Sequence, residues 1–355
     1  TAWEVWTLLT TEYVEKQNID AKKIQQAAIK GMMDALKDPY SSYLDIENAK
    51  MENSSLHGKF EGIGAQVGMK DNQLIVIAPI PDTPAEKAGI RPGDAILEIE
   101  GKSTAGLSLQ EAVIKIRGAK GTPITLLIRH EGKTTSESIT IVRAEILVKS
   151  VRWQPMGDVA HLQIFQFSGD TGRELSQALD EISRQGSKQI VLDLRSNPGG
   201  LLTEVVAVAS QFLKEDQTVL YTVNNQGERK EMKATARGKH IELPMVILVD
   251  SHSASGSEVL SGALQDHKRA LVMGTKTFGK GSVNMLFPLK DGSALYLTIG
   301  RWLTPDGRPI EGKGLAPDVE AVTTAEDRAQ GKDPALDKAL GYLKGLKTVA
   351  QPPTR

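Results

Sequence analysis

A chain of 355 residues is too long for one ordinary core, so two or three domains are expected. Its 40% hydrophobic and 25% charged residues fit a folded protein, and 43 Lys+Arg against 44 Asp+Glu leave a formal charge of -1, which supplies no basic field for nucleic acid or anionic lipid. The lack of cysteine excludes disulfides, thiolate nucleophiles and cysteine-held zinc, and apolar runs such as Val205 to Ala209 are far below the length of a membrane span.

Thr1 opens the chain without the basic, apolar and small-residue order of a signal, so any export signal or anchor would lie outside this sequence. From Ala2 to about Met51 the pattern is helical. Trp3, Trp6, Leu9 and Tyr13 lie three or four apart, as do Ile24, Ala27, Ala28, Met32 and Leu36, and Asp38-Pro39 stops the second helix. No fixed-period repeat is present, which argues against a solenoid or propeller.

Between His57 and Arg143 the texture becomes β-like, with runs Leu74 to Ala78, Ala95 to Ile99 and Ile124 to Ile128 between Gly, Pro and Asp turns. A single helix interrupts them. Ser108 with Glu111 reads as its capping box, and Leu109, Ala112, Val113 and Ile116 as its apolar face. After Val151 strand and helix alternate. Val159 to Phe165, Gln189 to Leu194, Met245 to Val249 and Ala270 to Met273 read as strands; Leu175 to Ile182, Leu201 to Leu213 and Ser255 to Gln265 read as helical. That order predicts an α/β layer with a largely parallel sheet, whose active groups gather at strand carboxyl ends. Asp333 to Leu346 reads as a last amphipathic helix.

Three constellations could carry chemistry. Ser253-Ala254-Ser255-Gly256-Ser257-Glu258 follows a strand and opens a helix, where a serine hydroxyl meets free N–H groups able to hold an oxyanion. Read alone it is a serine-rich helix cap. Thr277-Phe278-Gly279-Lys280-Gly281 sets a lysine between close backbones, where lost solvation lowers its pKa and lets it act as a base. Surface lysines in glycine turns are commoner. Asp193-Leu194-Arg195-Ser196-Asn197-Pro198-Gly199-Gly200 runs from a strand into a glycine turn whose N–H groups can face a ligand; with no Lys-Ser or Lys-Thr after the second glycine it is not a phosphate loop, and a plain turn is the simpler reading.

Together, in this order and spacing, these segments resemble the carboxyl-terminal processing peptidases of family S41, serine peptidases with a Ser/Lys dyad. Asp38-Pro39-Tyr40-Ser41, Thr304-Pro305-Asp306-Gly307-Arg308 and Gly314-Leu315-Ala316-Pro317-Asp318 extend the likeness over nearly the whole chain. The resemblance implies Ser255 as nucleophile, Lys280 as general base, and an oxyanion hole from the N–H of Gly256 with one from Gly199 or Gly200. Gly256 stands where the family usually has alanine, a change expected to be harmless because the hole uses backbone. Asn284 stands where the family has a glutamine that orients the lysine, so it is the candidate for that role, one methylene shorter.

The stretch from His57 to Arg143 is similar to the PDZ domain inserted in this family. Gly62-Ile63-Gly64-Ala65 is placed like the carboxylate-binding loop, supported by Pro84 to Ile90, Pro92-Gly93-Asp94 and Ile99-Glu100-Gly101. Arg117 matches the family arginine that couples peptide binding to the active site, or is a solvated helix-end charge. The resemblance thus implies a crotonase/ClpP-like α/β protease core with an inserted PDZ domain and helical terminal segments: residues 1–56 helical, 57–143 PDZ, 144–320 peptidase core with cap strands, 321–355 helical tail. It implies an endopeptidase acting on proteins or peptides with apolar C-terminal tails, with no cofactor and no metal, and it leaves room for a homo-oligomer or a regulatory partner. An extracytoplasmic setting, in the periplasm or cell envelope, is expected. Two rivals are a PDZ scaffold that has lost catalysis and a crotonase-like acyl-transfer enzyme. His252, three residues before Ser255, is too close along one tight loop to serve as a triad base, and no His-x-x-x-His pair suggests a metal.

Overall fold

The computed structural model describes residues 1–56, 59–70, 73–80, 82–107, 109–235, 242–324, 326–327 and 330–349. His57, Ser108 and the side chains of Leu109 and Glu111 lie outside the described residues, and with them the expected capping box. The chain opens with α1 (Ala2–Glu12), a 3-10 turn (Lys16–Asn18) and α2 (Ala21–Ala35), which Asp20 caps by accepting from the Lys23 N–H at 3.1 Å. The helical spacing is matched, but it does not mark buried faces. No residue of α1 is buried, Trp3 is 77% exposed, and α2 buries Met33 while Met32 lies in solvent. These helices contact the 3-10 turn and the short strand β1 (Ser42–Leu44), away from the large cores.

Helix α3 (Ile46–Leu56) leads to β2 (Lys59–Gly62), and the chain then forms a five-strand antiparallel sheet. Its members are β3 (Ala65–Lys70), β4 (Gln73–Pro79), β5 (Ala95–Ile99), β7 (Pro123–Arg129) and β8 (Glu137–Val142), in the order β3-β4-β5-β7-β8, with β6 (Lys102–Ser103) on β5. In β7 alternate residues Ile124, Leu126 and Ile128 are fully buried, the period-two pattern of a sheet with one covered face. The cover is α5 (Leu109–Ile116), through Ala112 and Ile116; α4 (Pro84–Lys87) adds Ala85. β9 (Ala144–Leu147) pairs antiparallel with β2, so the chain enters and leaves this unit along one ribbon.

The remaining chain builds a second core on the sheet β10-β11-β12-β15-β16-β19: β10 (Val151–Met156), β11 (Val159–Ile164), β12 (Gln189–Asp193), β15 (Met245–Val249), β16 (Leu271–Gly274) and β19 (Val319–Glu320). All neighbours are parallel except β10 with β11. β12 and β15 are buried at every position because helices cover both faces. Ile190, Leu192, Ile247 and Val249 face α6 (Thr171–Arg184), α7 (Leu202–Ala209) and α8 (Gly256–Asp266); Val191, Val246 and Leu248 face α9 (Pro334–Val349) through Ala335, Leu336, Ala339 and Leu343. The helix expected to reach Leu213 stops at Ala209, but Phe212 and Leu213 remain buried in the turns that follow.

A second antiparallel sheet, of which the sequence gives little sign, runs β1-β18-β13-β14 with β17 also on β18: β13 (Thr218–Asn224), β14 (Arg229–Lys233), β17 (Ser282–Pro288) and β18 (Ala294–Leu303). β1 thereby carries residues 38–44 of the N-terminal segment onto β18, with Tyr43 opposite Leu295.

Candidate active site

The three constellations leave the carboxyl ends of three adjacent parallel strands: Leu194 to Gly200 after β12, Asp250 to Ser255 after β15, and Thr275 to Gly281 after β16. Parallel pairing makes their meeting unavoidable. Cross-links fix the approach. Ser253 Oγ donates to the Leu194 carbonyl at 2.8 Å, the Ala254 N–H and Ser257 Oγ both donate to the Asn197 carbonyl, and the Phe278 N–H donates to the Ser253 carbonyl at 3.1 Å.

Ser255 is the N-cap of α8 and half-buried, with φ 49° and ψ -111°. A non-glycine residue there is strained by roughly 1–3 kcal/mol and needs its surroundings to hold it. Glu258, fully buried one turn on, supplies the hold. Its carboxylate accepts from the Ser255 N–H at 2.9 Å, Thr277 Oγ1 at 2.6 Å, the Gly279 N–H at 2.7 Å and the Lys280 N–H at 2.9 Å. One buried carboxylate therefore pins the serine loop and the lysine loop to each other, and hydrogen bonds to a charged group are each worth about 1.5–3 kcal/mol. Burial nonetheless pushes the Glu258 carboxyl above its ordinary range, against the pull of those donors.

The Lys280 backbone is held on both sides: its carbonyl accepts from Trp302 Nε1 at 3.0 Å, and the Gly281 carbonyl from the Trp302 N–H at 3.0 Å. Gly281 passes so close to Glu311 that a Cβ would meet its backbone nitrogen at 2.4 Å, so the glycine is required by the approach. Burial lowers the Lys280 pKa, partly offset by the carboxylates of Glu52, Glu311 and Asp38. Its Nζ stands 5.2 Å from the centre of the Tyr40 ring. Among the described residues no hydrogen bond joins Nζ to Ser255 or to Asn284. Asn284 is committed elsewhere: its Oδ1 accepts from Ser282 Oγ at 2.9 Å, and its Nδ2 donates to the Tyr40 carbonyl at 2.9 Å and to Thr298 Oγ1 at 3.0 Å.

Gly199 and Gly200, at φ 102° and 144°, lie against the serine loop and Phe167 respectively. A Cβ on Gly199 would meet the Gly256 nitrogen at 2.7 Å, and one on Gly200 the Phe167 carbonyl oxygen at 2.1 Å. The two glycines differ in what they can offer. The Gly199 N–H is held by Asn197 Oδ1 at 2.9 Å, whereas those of Gly200 and Gly256 have no hydrogen-bond partner among the described residues. At Gly256 an alanine methyl would meet Val205 Cγ2 at 2.7 Å and Phe167 Cδ2 at 3.0 Å, so glycine fits where alanine would need those side chains to shift. His252 is exposed, and its Nδ1 faces Ser251 Oγ at 3.4 Å.

In the first sheet β3 is an edge strand, and the segment Gly62 to Ala65 leads into it. The N–H groups of Ile63 and Gly64 have no hydrogen-bond partner among the described residues, while their carbonyls accept from Ala85 N–H and from Ile80 N–H and Thr83 Oγ1. Arg117 is not a solvated helix end. Its guanidinium lies 4.7 Å from the centre of the Phe60 ring, and burial lowers its pKa.

Glu258 and Tyr40 were not singled out from the sequence as site residues. Ser255-x-x-Glu258 carries the capping-box spacing that could have marked the first. Tyr40 falls in the Asp38 to Ser41 segment that shares in the family likeness, but nothing in that segment points to the site, since the asparagine that holds its carbonyl is 244 positions away.

Residues 158–321 match Peptidase family S41, residues 53–129 the PDZ domain, and residues 3–48 the N-terminal domain of the activating protease CtpB. A carboxy-terminal-processing protease of Bartonella bacilliformis is 39% identical over 348 residues, 96% of this chain and 80% of the relative. A CtpA-like serine protease of Staphylococcus haemolyticus is 42% identical over 317 residues, 89% of this chain and 63% of the relative; the chain thus spans under two thirds of that protein. Among solved structures, the photosystem II D1 C-terminal processing protease superposes with a TM-score of 0.56 at 29% identity, over 89% of this chain and 86% of that one. An S41 protease from Bacteroides fragilis superposes with a TM-score of 0.62 over 96% of both chains; at 17% identity it shows the shared fold alone.

Proposed function

The chain belongs to peptidase family S41, and from that premise we propose that it is a serine endopeptidase that grips the apolar C-terminal tail of a protein substrate and cuts upstream of it. The observation that carries this reading is the Glu258 clasp, which sets a strained, half-buried serine and a lysine of lowered pKa on two loops bound to one carboxylate. In the proposed reaction neutral Lys280 takes the proton of Ser255 Oγ as that oxygen attacks the substrate carbonyl carbon. The oxyanion is held by the N–H groups of Gly256 and Gly200, the donors left without partners, rather than by Gly199. Lys280 returns the proton to the leaving amine, and water, deprotonated by the same lysine, releases the acyl group from Ser255.

The PDZ domain supports the other half of the reading. A peptide tail would add as a strand to β3 beside α5, with its carboxylate on the N–H groups of Ile63 and Gly64. An extracytoplasmic site of action, which the family resemblance implies, is part of the proposal.

A serine-reactive fluorophosphonate tests the core claim. Mass mapping is expected to find one label, on Ser255, and Ser255→Ala is expected to lose label and cleavage, by roughly 10⁴ or more in rate, while still folding. A chain that binds peptides but takes no label is a scaffold, and a label on any other residue removes the assignment.

A further inference from the structure

Tyr40 reaches the site from the far end of the sequence. Asp38 shapes the turn, accepting from the Tyr40 N–H at 3.1 Å and from Ser41 Oγ at 2.6 Å. Ser41 Oγ in turn accepts from the Thr298 N–H at 2.9 Å, and β1 continues as an antiparallel partner of β18. Hydrogen bonds to Thr298 and Asn284 and a strand pairing thus dock residues 38–44 beside the lysine loop, leaving the Tyr40 ring over Lys280 Nζ and the Tyr40 carbonyl on Asn284 Nδ2.

We propose that Tyr40 is a positioning residue for the general base: its ring walls the Lys280 amine off from water, and Asn284 acts on the base by holding the Tyr40 backbone rather than by a bond of its own. The inference rests on Lys280 being the base. An aromatic ring beside an amine has two opposed effects. Its face attracts the ammonium, favouring the charged form, while its bulk excludes the water that would solvate that charge. Burial is the largest influence on Lys280 and the net direction is downward, so in the proposal the ring supplies the second of these effects, as part of that burial. The remaining charges are those facing the pair from the neighbouring elements. Glu52 of α3, Glu311 and Asp38 act on Lys280; Glu311, Glu258 of α8, Asp38 and Arg301 of β18 act on Tyr40. The carboxylates favour the charged lysine, so the neutral amine depends on the wall.

The consequence is a site completed by the N-terminal segment. Without residues 38–44 the Ser255 and Lys280 loops would keep their Glu258 clasp, yet the base would be exposed to solvent and charged at neutral pH.

The test is the pH profile of kcat/KM on one peptide, together with the rate at which a fluorophosphonate labels Ser255. Tyr40→Ala is expected to move the limiting ionisation upward by about one unit or more, so that the rate at neutral pH falls about tenfold and recovers at high pH. Tyr40→Phe, which keeps the ring, is expected to keep the wild-type midpoint. Asn284→Leu removes the donor to the Tyr40 carbonyl and should shift the midpoint in the same direction, which keeps the idea testable should Tyr40→Ala fail to fold. A Tyr40→Ala enzyme uniformly slower at all pH values, with its midpoint unmoved, overturns the proposal. So does a midpoint moved by Asn284→Leu but not by Tyr40→Ala, or a Tyr40→Phe enzyme shifted as far as Tyr40→Ala. An active Lys280→Ala enzyme would instead remove the dyad itself, a separate failure from an unmoved Tyr40 profile.

Discussion

A general base works only if it is neutral when the nucleophile needs it, and for a lysine that means a pKa brought down from its ordinary value of 10.5. Burial of Lys280 acts in that direction. The rate constant kcat/KM is therefore expected to rise with pH and to level off once the amine is neutral, with a midpoint below that of an ordinary lysine. Arginine cannot serve, because its guanidinium stays charged at any accessible pH. Lys280→Arg should be as inactive as Lys280→Ala, each slower by roughly 10⁴; substantial activity in the arginine variant, in a peptide assay across pH, would mean that the lysine acts only as a fixed charge. The segments of Ser255, Lys280 and the glycines, which the structure brings together, could be picked out because each is a short motif whose spacing has a mechanical meaning. Glu258 was legible only as a helix cap, since its bonds to Gly279 and Lys280 come from a loop beyond the next strand. The close packing at Gly256 was hidden for a similar reason: a backbone argument cannot see that Val205, on another helix, fills the space of a methyl group.

At the scale of elements, the parallel strands were readable as apolar runs because both faces are buried, and β12 and β15 fall within a residue of their expected ends. The sheet containing β13, β14, β17 and β18 was not. Its strands mix charged and apolar residues, as in Arg229–Lys233 with four exposed positions of five, so neither a period of two nor a continuous run stands out. In α1 the limit is a different one: Trp3, Trp6 and Leu9 have helical spacing and lie in a helix that ends just before Tyr13, yet spacing cannot say whether anything covers it. For the PDZ domain the sheet order makes a sharper statement than the motif did. β3 is an edge, and the donors of Ile63 and Gly64 at its start have no partner among the described residues, so the affinity of a peptide should depend on its terminal charge. With the full chain carrying Ser255→Ala to prevent turnover, calorimetry is expected to show an apolar-ended peptide losing tenfold or more in affinity when its C-terminus is amidated. Equal binding of both forms would leave the glycine loop with no part in recognition.

Across the whole molecule, the terminal helix α9 is tied to the parallel sheet by Gln189 Nε2, which donates to the Leu343 carbonyl at 2.7 Å, by Lys338 Nζ, which donates to the Glu320 carbonyl at 2.7 Å, and at its start by an arginine. Arg195 leaves β12 and forks: it donates to Asp193 at 2.6 and 2.9 Å and to Asp333, at the start of α9, at 2.7 and 2.8 Å. Asp333 also caps α9 by accepting from the Leu336 N–H at 3.2 Å, and His161 Nε2 meets Asp193 Oδ2 at 3.0 Å. The side chains of His161 and Asp193 lie on the sheet face that α9 covers, interrupting an otherwise apolar surface, so the fork is what allows charge to be buried there. Asp193 is 3% exposed, and despite burial, which alone would raise its pKa, the Arg195 and His161 contacts hold it at about 2, below the ordinary 3.8. A carboxyl depressed on folding stabilises the fold above its unfolded pKa, and that stability disappears as pH falls through 3.8 toward 2. The difference is worth roughly 2.5 kcal/mol, and losing one partner of a buried pair costs about 3–5 kcal/mol, so both exceed the effect of a surface ion pair. Arg195→Met is therefore expected to loosen α9 at pH 7, because Asp193 is left buried without its cation and Asp333 without its tether. Hydrogen exchange of the amides of Leu336 to Leu343 is the suitable measurement, since it reads the local opening of one helix in a chain with more than one core. Protection there should fall by roughly a hundredfold in the variant at pH 7, and the gap between variant and wild type should narrow as the pH approaches 3, where Asp193 and Asp333 begin to lose their charge in the opened state. An equal gap at both pH values would show that Arg195 holds α9 by packing alone.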